Sequence, residues 1–143
     1  MNKNIESSKA AEPVGKFPHA KRVGSLLFLS GIGPRVRGQK EIPGVTLNSN
    51  NEVINYDIKT QTHGVFENVK LVLEDAGLRL SDLVDVTVFL TNMKVDFKAF
   101  NSIWAEYFPN SGPCRTTVQV GALPTPIAIE FKCIAQIPNE EKR

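Results

Sequence analysis

The sequence predicts an α+β domain, with two helices packed on one face of a mixed β-sheet. Two segments repeat apolar residues at three- and four-residue steps, which is typical of helices. The other apolar segments are short and either alternate or run continuously, which is typical of strands. Their order along the chain is strand, strand, helix, strand, helix, strand, strand. Because the helices do not alternate regularly with the strands, we expect them to form one layer.

The first half of the chain predicts a hairpin, a long loop and a helix. The apolar runs 21–23 and 26–30 flank Gly24-Ser25, which is typical of a tight turn between antiparallel strands. Residues 35–56 are rich in Gly, Pro, Asn and Ser, so they predict a loop with a short strand near its end. The clearest helical pattern covers residues 57–76.

The second half predicts a central strand, a helix and two final strands. Residues 83–91 are almost continuously apolar, which favours a strand buried on both faces. Residues 96–108 predict the second helix. The strands 115–120 and 128–136 alternate, and they have the composition of interior strands. One face of each suits the helices, and the opposite face is predicted to carry a polar set: Arg115, Gln119, Glu130 and Lys132.

The chain of 143 residues fits a single domain, which we place at residues 13–138. Residues 1–12 are polar and predict a flexible N-terminal segment. Residues 139–143 predict a polar tail.

Charge and cysteine content narrow the classes of function. The net charge is +2 and the basic clusters are short, so we expect no nucleic-acid partner. No apolar run is long enough to span a membrane, and we expect no membrane partner. Cys114 and Cys133 lie apart, outside any metal-binding spacing, and predict buried free thiols rather than a metal site. These features favour a cytoplasmic protein.

The polar face of the predicted sheet indicates an assembly of subunits. Two helices cannot cover both faces of one sheet, so the uncovered face is expected to meet another copy of the chain. Arg115 and Glu130 would then be largely removed from water. A guanidinium matches a carboxylate in bidentate geometry, and a carboxyl group can move protons or orient water. On residue types alone, a simple ion pair between Arg115 and Glu130 remains an open alternative.

Three segments of the chain resemble the Rid (YjgF-type) family. The resemblance covers about residues 14–137 and is carried by LFLSGIGP at 27–34, by LVDVTVFLT at 83–91 with Asp96, Phe97 and Asn101 after it, and by PCRTTVQV at 113–120 continuing to Leu123-Pro124 and Ile129-Glu130. It implies a chorismate-mutase-like fold and a homotrimer with clefts between subunits. It also implies hydrolytic release of ammonia from 2-imino or enamine acids, without a metal or organic cofactor.

The resemblance also implies roles for individual residues. Arg115 corresponds to the carboxylate-binding arginine, and Glu130 to the acid/base or water-positioning glutamate. Gly31 would offer backbone contacts to the ligand, and Asn101 would line the cleft. Backbone near Cys114 would help to orient the attacking water.

The chain departs from the common family pattern around residues 15–19 and after Gly31. Phe17 stands where many members have tyrosine, so it could pack or stack but not donate a hydrogen bond. The longer loop after Gly31 is similar to that of members that deaminate 2-aminomuconate. That compound has two carboxylates, so Arg35 is predicted to bind the second, with His19 behind it. The alternatives are a solvated loop arginine and a packed histidine.

The resulting hypothesis is a hydrolytic deaminase that converts 2-aminomuconate to 4-oxalocrotonate and ammonia in the degradation of aromatic compounds. One alternative is a broad-specificity 2-imino acid deaminase that removes reactive intermediates. Another is a non-catalytic regulatory protein that binds small keto or imino acids. The resemblance also leaves RNA cleavage open, although the near-neutral charge disfavours it.

Overall fold

The structure is a computed structural model that describes residues 2–139. Its strands are β1 Lys3–Ile5, β2 Ala20–Val23, β3 Leu26–Leu29, β4 Val45–Leu47, β5 Val53–Tyr56, β6 Leu83–Leu90, β7 Cys114–Gln119 and β8 Ile129–Gln136. Its helices are α1 Ile58–Asp75 and α2 Met93–Tyr107, with a short 3₁₀ helix at Leu80–Asp82. None of the helices within this range is long and apolar enough to cross a membrane.

Six strands form one mixed sheet in the order β1-β2-β3-β8-β6-β7. Only β6 and β7 are parallel, and every other neighbouring pair is antiparallel. The predicted α+β class with a mixed sheet is therefore confirmed. The long loop contains a separate hairpin, β4–β5, of which the sequence predicted only the second strand.

Both helices pack on the same face of the sheet, and they do so through apolar side chains. The buried residues of α1 include Val65, Phe66 and Val69, and Phe66 meets Phe131 of β8 edge to face at 5.1 Å. Phe100 of α2 packs on the same Phe131 ring at 6.1 Å. Burying each such side chain contributes about 1.5–3 kcal/mol, so this layer anchors the fold. In the part of the chain that the structure describes, no helix packs on the opposite face of the sheet.

The helix ends show what sequence patterns can and cannot locate. Asp57 caps α1 by accepting the backbone N–H of Lys59 at 2.9 Å, and Gly77 follows the helix with φ of +75°. The second helix starts a turn earlier than expected. Asn92 caps it by accepting the N–H of Val95 at 3.2 Å. Val95 is 69% exposed, so the apolar periodicity did not reveal this first turn.

The N-terminal segment differs from the flexible segment expected at 1–12. Lys3–Ile5 pairs with β2, and Ser7 and Ala10 are 4% and 1% exposed. Arg37 donates to the carbonyl oxygens of Ser7 and Ala10, each at 2.8 Å. A side chain distant in the sequence thus forms hydrogen bonds with the backbone of this segment. The low hydrophobicity of residues 1–12 gave no indication of these bonds. Of the expected polar tail, residues 140–143 lie outside the described range.

His19 forms a second tie to the same segment. Its Nδ1 accepts the backbone N–H of Ser7 at 2.9 Å, and its Nε2 donates to the carbonyl of Ala11 at 2.8 Å. Replacing it in His19→Ala leaves the buried Ser7 N–H without an acceptor. We expect a loss of about 1–3 kcal/mol in the free energy of unfolding, measured by urea denaturation.

The matched control is His63→Ala, because His63 is exposed on α1 with one side-chain hydrogen bond, to Tyr107. We expect that change to alter stability by roughly 0.5 kcal/mol or less. Equal losses in the two variants would show that His19 does not tie the segment down.

Candidate active site

Glu130 lies at the start of β8, on the sheet face that the helices leave uncovered. Its cross-strand partner on β6 is Phe89, whereas Phe131 pairs with the buried Val88 on the helix face. The carboxylate lies directly against Gly31. A Cβ built on Gly31 would come within 2.6 Å of Oε2 of Glu130, so only glycine leaves the carboxylate in place.

Backbone pairing fixes this contact between Gly31 and Glu130. Ile32 and Phe131 exchange two hydrogen bonds of 2.9 Å, which join the chain after β3 to β8. The residues preceding Ile32 and Phe131 are Gly31 and Glu130. Because the bridge is antiparallel, Gly31 lies diagonally across from Glu130 on the same face, within reach of the long glutamate side chain.

A cavity of about 50 Å³ adjoins Glu130. A water molecule needs roughly 10–15 Å³ of such space, so the cavity can hold water beside the carboxylate. Its lining includes four of the predicted substrate-binding residues, Phe17, His19, Gly31 and Arg35. The wall is mixed, with apolar side chains beside the charged Glu12, Arg35 and Glu130. At this size the cavity of one chain is well below the roughly 300–1,000 Å³ of typical small-molecule sites.

Burial raises the pKa of the Glu130 carboxyl, and the Arg35 guanidinium opposes this by favouring the charged form. No residue between 2 and 139 forms a hydrogen bond or salt bridge with the carboxylate. A carboxyl group whose pKa lies closer to neutrality can both take and return a proton. Glu130 is thus suited to acid/base work.

Asn68 of α1 lines the cavity and forms hydrogen bonds with two segments of its wall. Its side-chain nitrogen donates to the carbonyls of Gly33 at 2.9 Å and Arg35 at 2.6 Å. Its oxygen accepts the N–H of Ala11 at 3.2 Å. The Asn68 amide thus connects α1 to the segments that contain Ala11 and residues 33–35. The sequence alone did not indicate this role.

Arg35 and His19 differ in what they can offer a ligand. Arg35 uses one nitrogen to donate to the carbonyl of Glu12, and its charge still acts on Glu130. His19 has both ring nitrogens engaged by backbone groups of the N-terminal segment. The proposed role of His19 with a substrate carboxylate therefore conflicts with its hydrogen bonds, and the packed-histidine alternative describes it.

Arg115 lies on the opposite face of the sheet from Glu130, so the expectation that they share a face is wrong. Strand β7 is an edge strand, and its parallel pairing sets Arg115 beside Val86. Val86 is fully buried against the helix layer. The alternation of Thr and Val in β7 could not identify its inner face, because the register with β6 decides it.

The Arg115 guanidinium lies over three aromatic rings of α2. Its Cζ is 5.7 Å from the ring centre of Phe97, 5.1 Å from Phe100 and 4.9 Å from Trp104. Within residues 2–139 it has no hydrogen bond or salt bridge, which excludes the ion pair with Glu130 inside one chain. Burial lowers the pKa of the guanidinium, which nevertheless stays charged at neutral pH.

The two remaining predicted residues lie near Arg115 in different ways. Asn101 is exposed on α2, four residues after Phe97 and three before Trp104, so it shares their side of the helix. Cys114 precedes Arg115 but pairs with Asp85, which puts its side chain on the other face. Its thiol is exposed, contrary to the buried thiol expected.

The other cysteine behaves as the sequence predicts. Cys133 is fully buried, and burial raises the pKa of its thiol to about 12. Such a thiol is inert at neutral pH. Within residues 2–139 no group of three or more His, Cys, Asp or Glu side chains could hold a metal ion.

The aromatic residues beneath Arg115 are the functional candidates that sequence reasoning missed. Phe97, Phe100 and Trp104 recur at i, i+3 and i+7, a spacing that by itself predicts a helix. In the structure the three rings also contact Arg115 on β7. Only the register of β7 on β6 shows that they meet.

Comparison with known proteins places this arrangement in a family. The family described as Endoribonuclease L-PSP matches residues 7–137. A RutC family protein of Pyrococcus abyssi is 40% identical over 92% of this chain and 94% of its own length. The 2-iminobutanoate/2-iminopropanoate deaminase of Dermatophagoides farinae is 34% identical over 93% of this chain and 94% of its own.

A solved structure agrees with both. The crystal structure of TdcF from E. coli with bound serine has a TM-score of 0.80 and 31% identity, covering 94% of this chain and 98% of that one. The chain therefore belongs to the Endoribonuclease L-PSP family, the Rid family that its motifs resemble.

The charge of Arg35 should be visible in the titration of Glu130. In Arg35→Gln the cation that favours the carboxylate is removed, so the pKa of Glu130 should rise further above the ordinary 4.5. A ¹³C NMR titration of the carboxyl carbon measures this midpoint. Lys40→Gln, a change of equal charge at an exposed site in the same loop, should leave it unmoved. An unchanged midpoint in Arg35→Gln would contradict the coupling.

Proposed function

We propose that the protein is a hydrolytic deaminase of small 2-imino acids, with sites formed between copies of the chain. The observation that carries this proposal is a pair of charges on opposite faces of one sheet, neither of which has an ion-pair partner among the described residues 2–139. Glu130 adjoins a cavity on one face, and Arg115 offers its N–H donors on the other. A carboxylate-bearing electrophile needs both groups, and one chain supplies them at two separate places.

The separation within one chain is too large for a small substrate. Arg115 and Glu130 pair with Val86 and Phe89 of β6. Their backbones are thus about 10 Å apart along the strands and about 10 Å across them. The side chains also point to opposite faces. A neighbouring chain that brings its Arg115 to the Glu130 cavity would complete the site.

The uncovered sheet face is suited to such a neighbour. It carries apolar side chains that remain partly exposed in one chain: Leu26, Phe28, Phe89, Val118 and Ile134. Apolar side chains left partly exposed on an uncovered sheet face favour a closed homo-oligomer. We propose the homotrimer that the family resemblance implies, with three equivalent sites.

The chemistry follows from the groups that meet there. Arg115 of one chain binds the substrate carboxylate through two parallel hydrogen bonds. Glu130 of the neighbour takes a proton from water as the water oxygen bonds to the imine carbon, and it then delivers this proton to the imine nitrogen to give the carbinolamine. Glu130 next takes the hydroxyl proton of the carbinolamine and returns it to the amino nitrogen as the C–N bond breaks, so that ammonia leaves and the carbonyl of a 2-oxo acid forms. An enamine first takes a proton on carbon to become the imine.

The names of the relatives support broad specificity over the narrower hypothesis of 2-aminomuconate. One relative is named for 2-iminobutanoate and 2-iminopropanoate, and another, from Arabidopsis thaliana, as a Reactive Intermediate Deaminase. These substrates have one carboxylate. A second carboxylate would fall to Arg35, which already donates to Glu12. We therefore place 2-aminomuconate second among the substrates.

The experiment follows ammonia released from 2-iminobutanoate generated in the assay. Arg115→Ala should lower kcat/KM by about 100-fold or more, because the carboxylate loses its charged partner. Glu130→Gln should lower kcat by on the order of 10²–10⁴-fold, because proton transfer is lost. Binding of 2-oxobutanoate without any ammonia release would instead indicate a regulatory protein. Cleavage of RNA without deamination would favour the activity after which the family is described.

Mixing the two inactive variants tests whether neighbours share the site. After unfolding and refolding together, about a quarter of the sites in a random ring combine an intact Arg115 with an intact Glu130. We expect a corresponding fraction of wild-type activity. The control is the same mixture without subunit exchange, checked by native mass spectrometry. An exchanged mixture no more active than its parents would sink the shared site.

A further inference from the structure

We propose that Phe97, Phe100 and Trp104 are the positioning residues of the carboxylate site, which hold the Arg115 guanidinium for the substrate. This inference rests on the proposed function, because it assigns the support of the same arginine. Its basis is that all three rings lie within 6 Å of the guanidinium carbon. Contacts of this length are in the range of cation–π attraction.

The helix α2 brings the rings together by its period. Residues 97, 100 and 104 follow the i, i+3, i+7 spacing that aligns side chains along one side of a helix. That side faces β7, where the register on β6 sets Arg115 above them. The arginine is therefore held by elements of its own chain, before any neighbour or substrate arrives.

The rings attract the Arg115 cation without occupying the N–H donors that a substrate carboxylate would use. A buried arginine is more often held by a carboxylate, which would occupy its N–H donors and neutralise its charge. Within the described residues 2–139 Arg115 has no such partner. An aromatic face attracts the cation through its electron density, so the N–H donors remain for the substrate carboxylate. A substrate carboxylate then does not have to displace a carboxylate side chain of the described residues from Arg115.

The rings themselves are fixed by the core. Phe100 is fully buried and packs on Phe131 at 6.1 Å. Trp104 lies 4.8 Å from Phe108 and 6.0 Å from Phe131. The guanidinium is thus tied through the rings to the apolar layer between helices and sheet. A group positioned before binding loses less conformational freedom when the ligand arrives.

This arrangement should act on binding rather than on the chemical step. The carboxylate is held alike in the bound substrate and in the transition state, so loss of a ring should raise KM and leave kcat unchanged. In Trp104→Leu we expect the affinity for 2-oxobutanoate, an unreactive carboxylate, to fall by roughly two- to thirty-fold. Trp104→Phe keeps a ring and should retain most of the affinity.

The experiment compares wild type, Trp104→Leu, Trp104→Phe and Phe97→Leu by calorimetric titration with 2-oxobutanoate and by kcat and KM for 2-iminobutanoate. Tyr107→Leu is the matched control. Tyr107 is an aromatic residue of the same helix that stacks on Phe66 at 3.8 Å and is outside the set of rings around Arg115. Thermal unfolding of each variant measures the general loosening of α2. Since Trp104 is the sole tryptophan, its emission in wild type should also change as the carboxylate binds.

The outcomes separate this inference from the proposed function. Weaker binding in Trp104→Leu and Phe97→Leu, with kcat kept, rescue in Trp104→Phe and no effect in Tyr107→Leu, supports the positioning role. Equal affinity in Trp104→Leu and wild type overturns it, while the proposed function stands if Arg115→Ala still abolishes binding. An equal loss in Tyr107→Leu also overturns it, because loosening of the helix would then suffice. A wild-type protein that neither binds 2-oxobutanoate nor deaminates overturns both.

Discussion

The register of β7 on β6 is the constraint on which the candidate site depends. It pairs Arg115 with Val86 on the helix face, while the antiparallel register of β8 pairs Glu130 with Phe89 on the other. Because side chains alternate along a strand, a slip of one residue would move either group to the wrong face. The core residues of β6 and β8 prevent that slip, since their apolar partners would then be exposed to water. The positions of the charged groups are thus set by the packing of the uncharged ones.

Within residues 2–139 neither Arg115 nor Glu130 has a salt-bridge partner, although both are partly removed from water, and the fold compensates in different ways. The aromatic rings of α2 attract the Arg115 cation. Glu130 has the more distant Arg35, and burial still raises its pKa. A carboxyl group whose folded-state pKa is raised adds stability below its ordinary pKa, and that contribution is lost as the pH rises through the raised pKa. At neutral pH the buried carboxylate therefore weakens the fold slightly, which is common for groups kept for chemistry.

The sequence predicts the helices and strands of this fold better than it predicts which side of each strand faces the helices. The hairpin, both helices and the central strand follow from turn residues and apolar periodicity, because these signals are local. The face of β7 does not, since an edge strand of Thr, Val and Arg shows no clear inner side until its partner is known. The packing of residues 3–11 depends on His19 and Arg37, whose hydrogen bonds to this segment span 8 to 30 positions of sequence. The sequence singled out four residues that line the cavity beside Glu130, but it did not single out the aromatic rings under Arg115 as a group.

The placement of the two groups on opposite faces has a chemical advantage. If Arg115 and Glu130 shared one cavity in one chain, opposite charges at close range would lower the pKa of the carboxyl and occupy the guanidinium. The carboxyl would then be a poor proton donor, and the arginine would bind a substrate only after releasing its partner. In the shared site that we propose, the two groups meet only when a neighbouring chain and a substrate join, so each keeps the property that deamination requires. The substrate carboxylate would then be the nearest anion to Arg115, and water beside Glu130 the nearest source of protons.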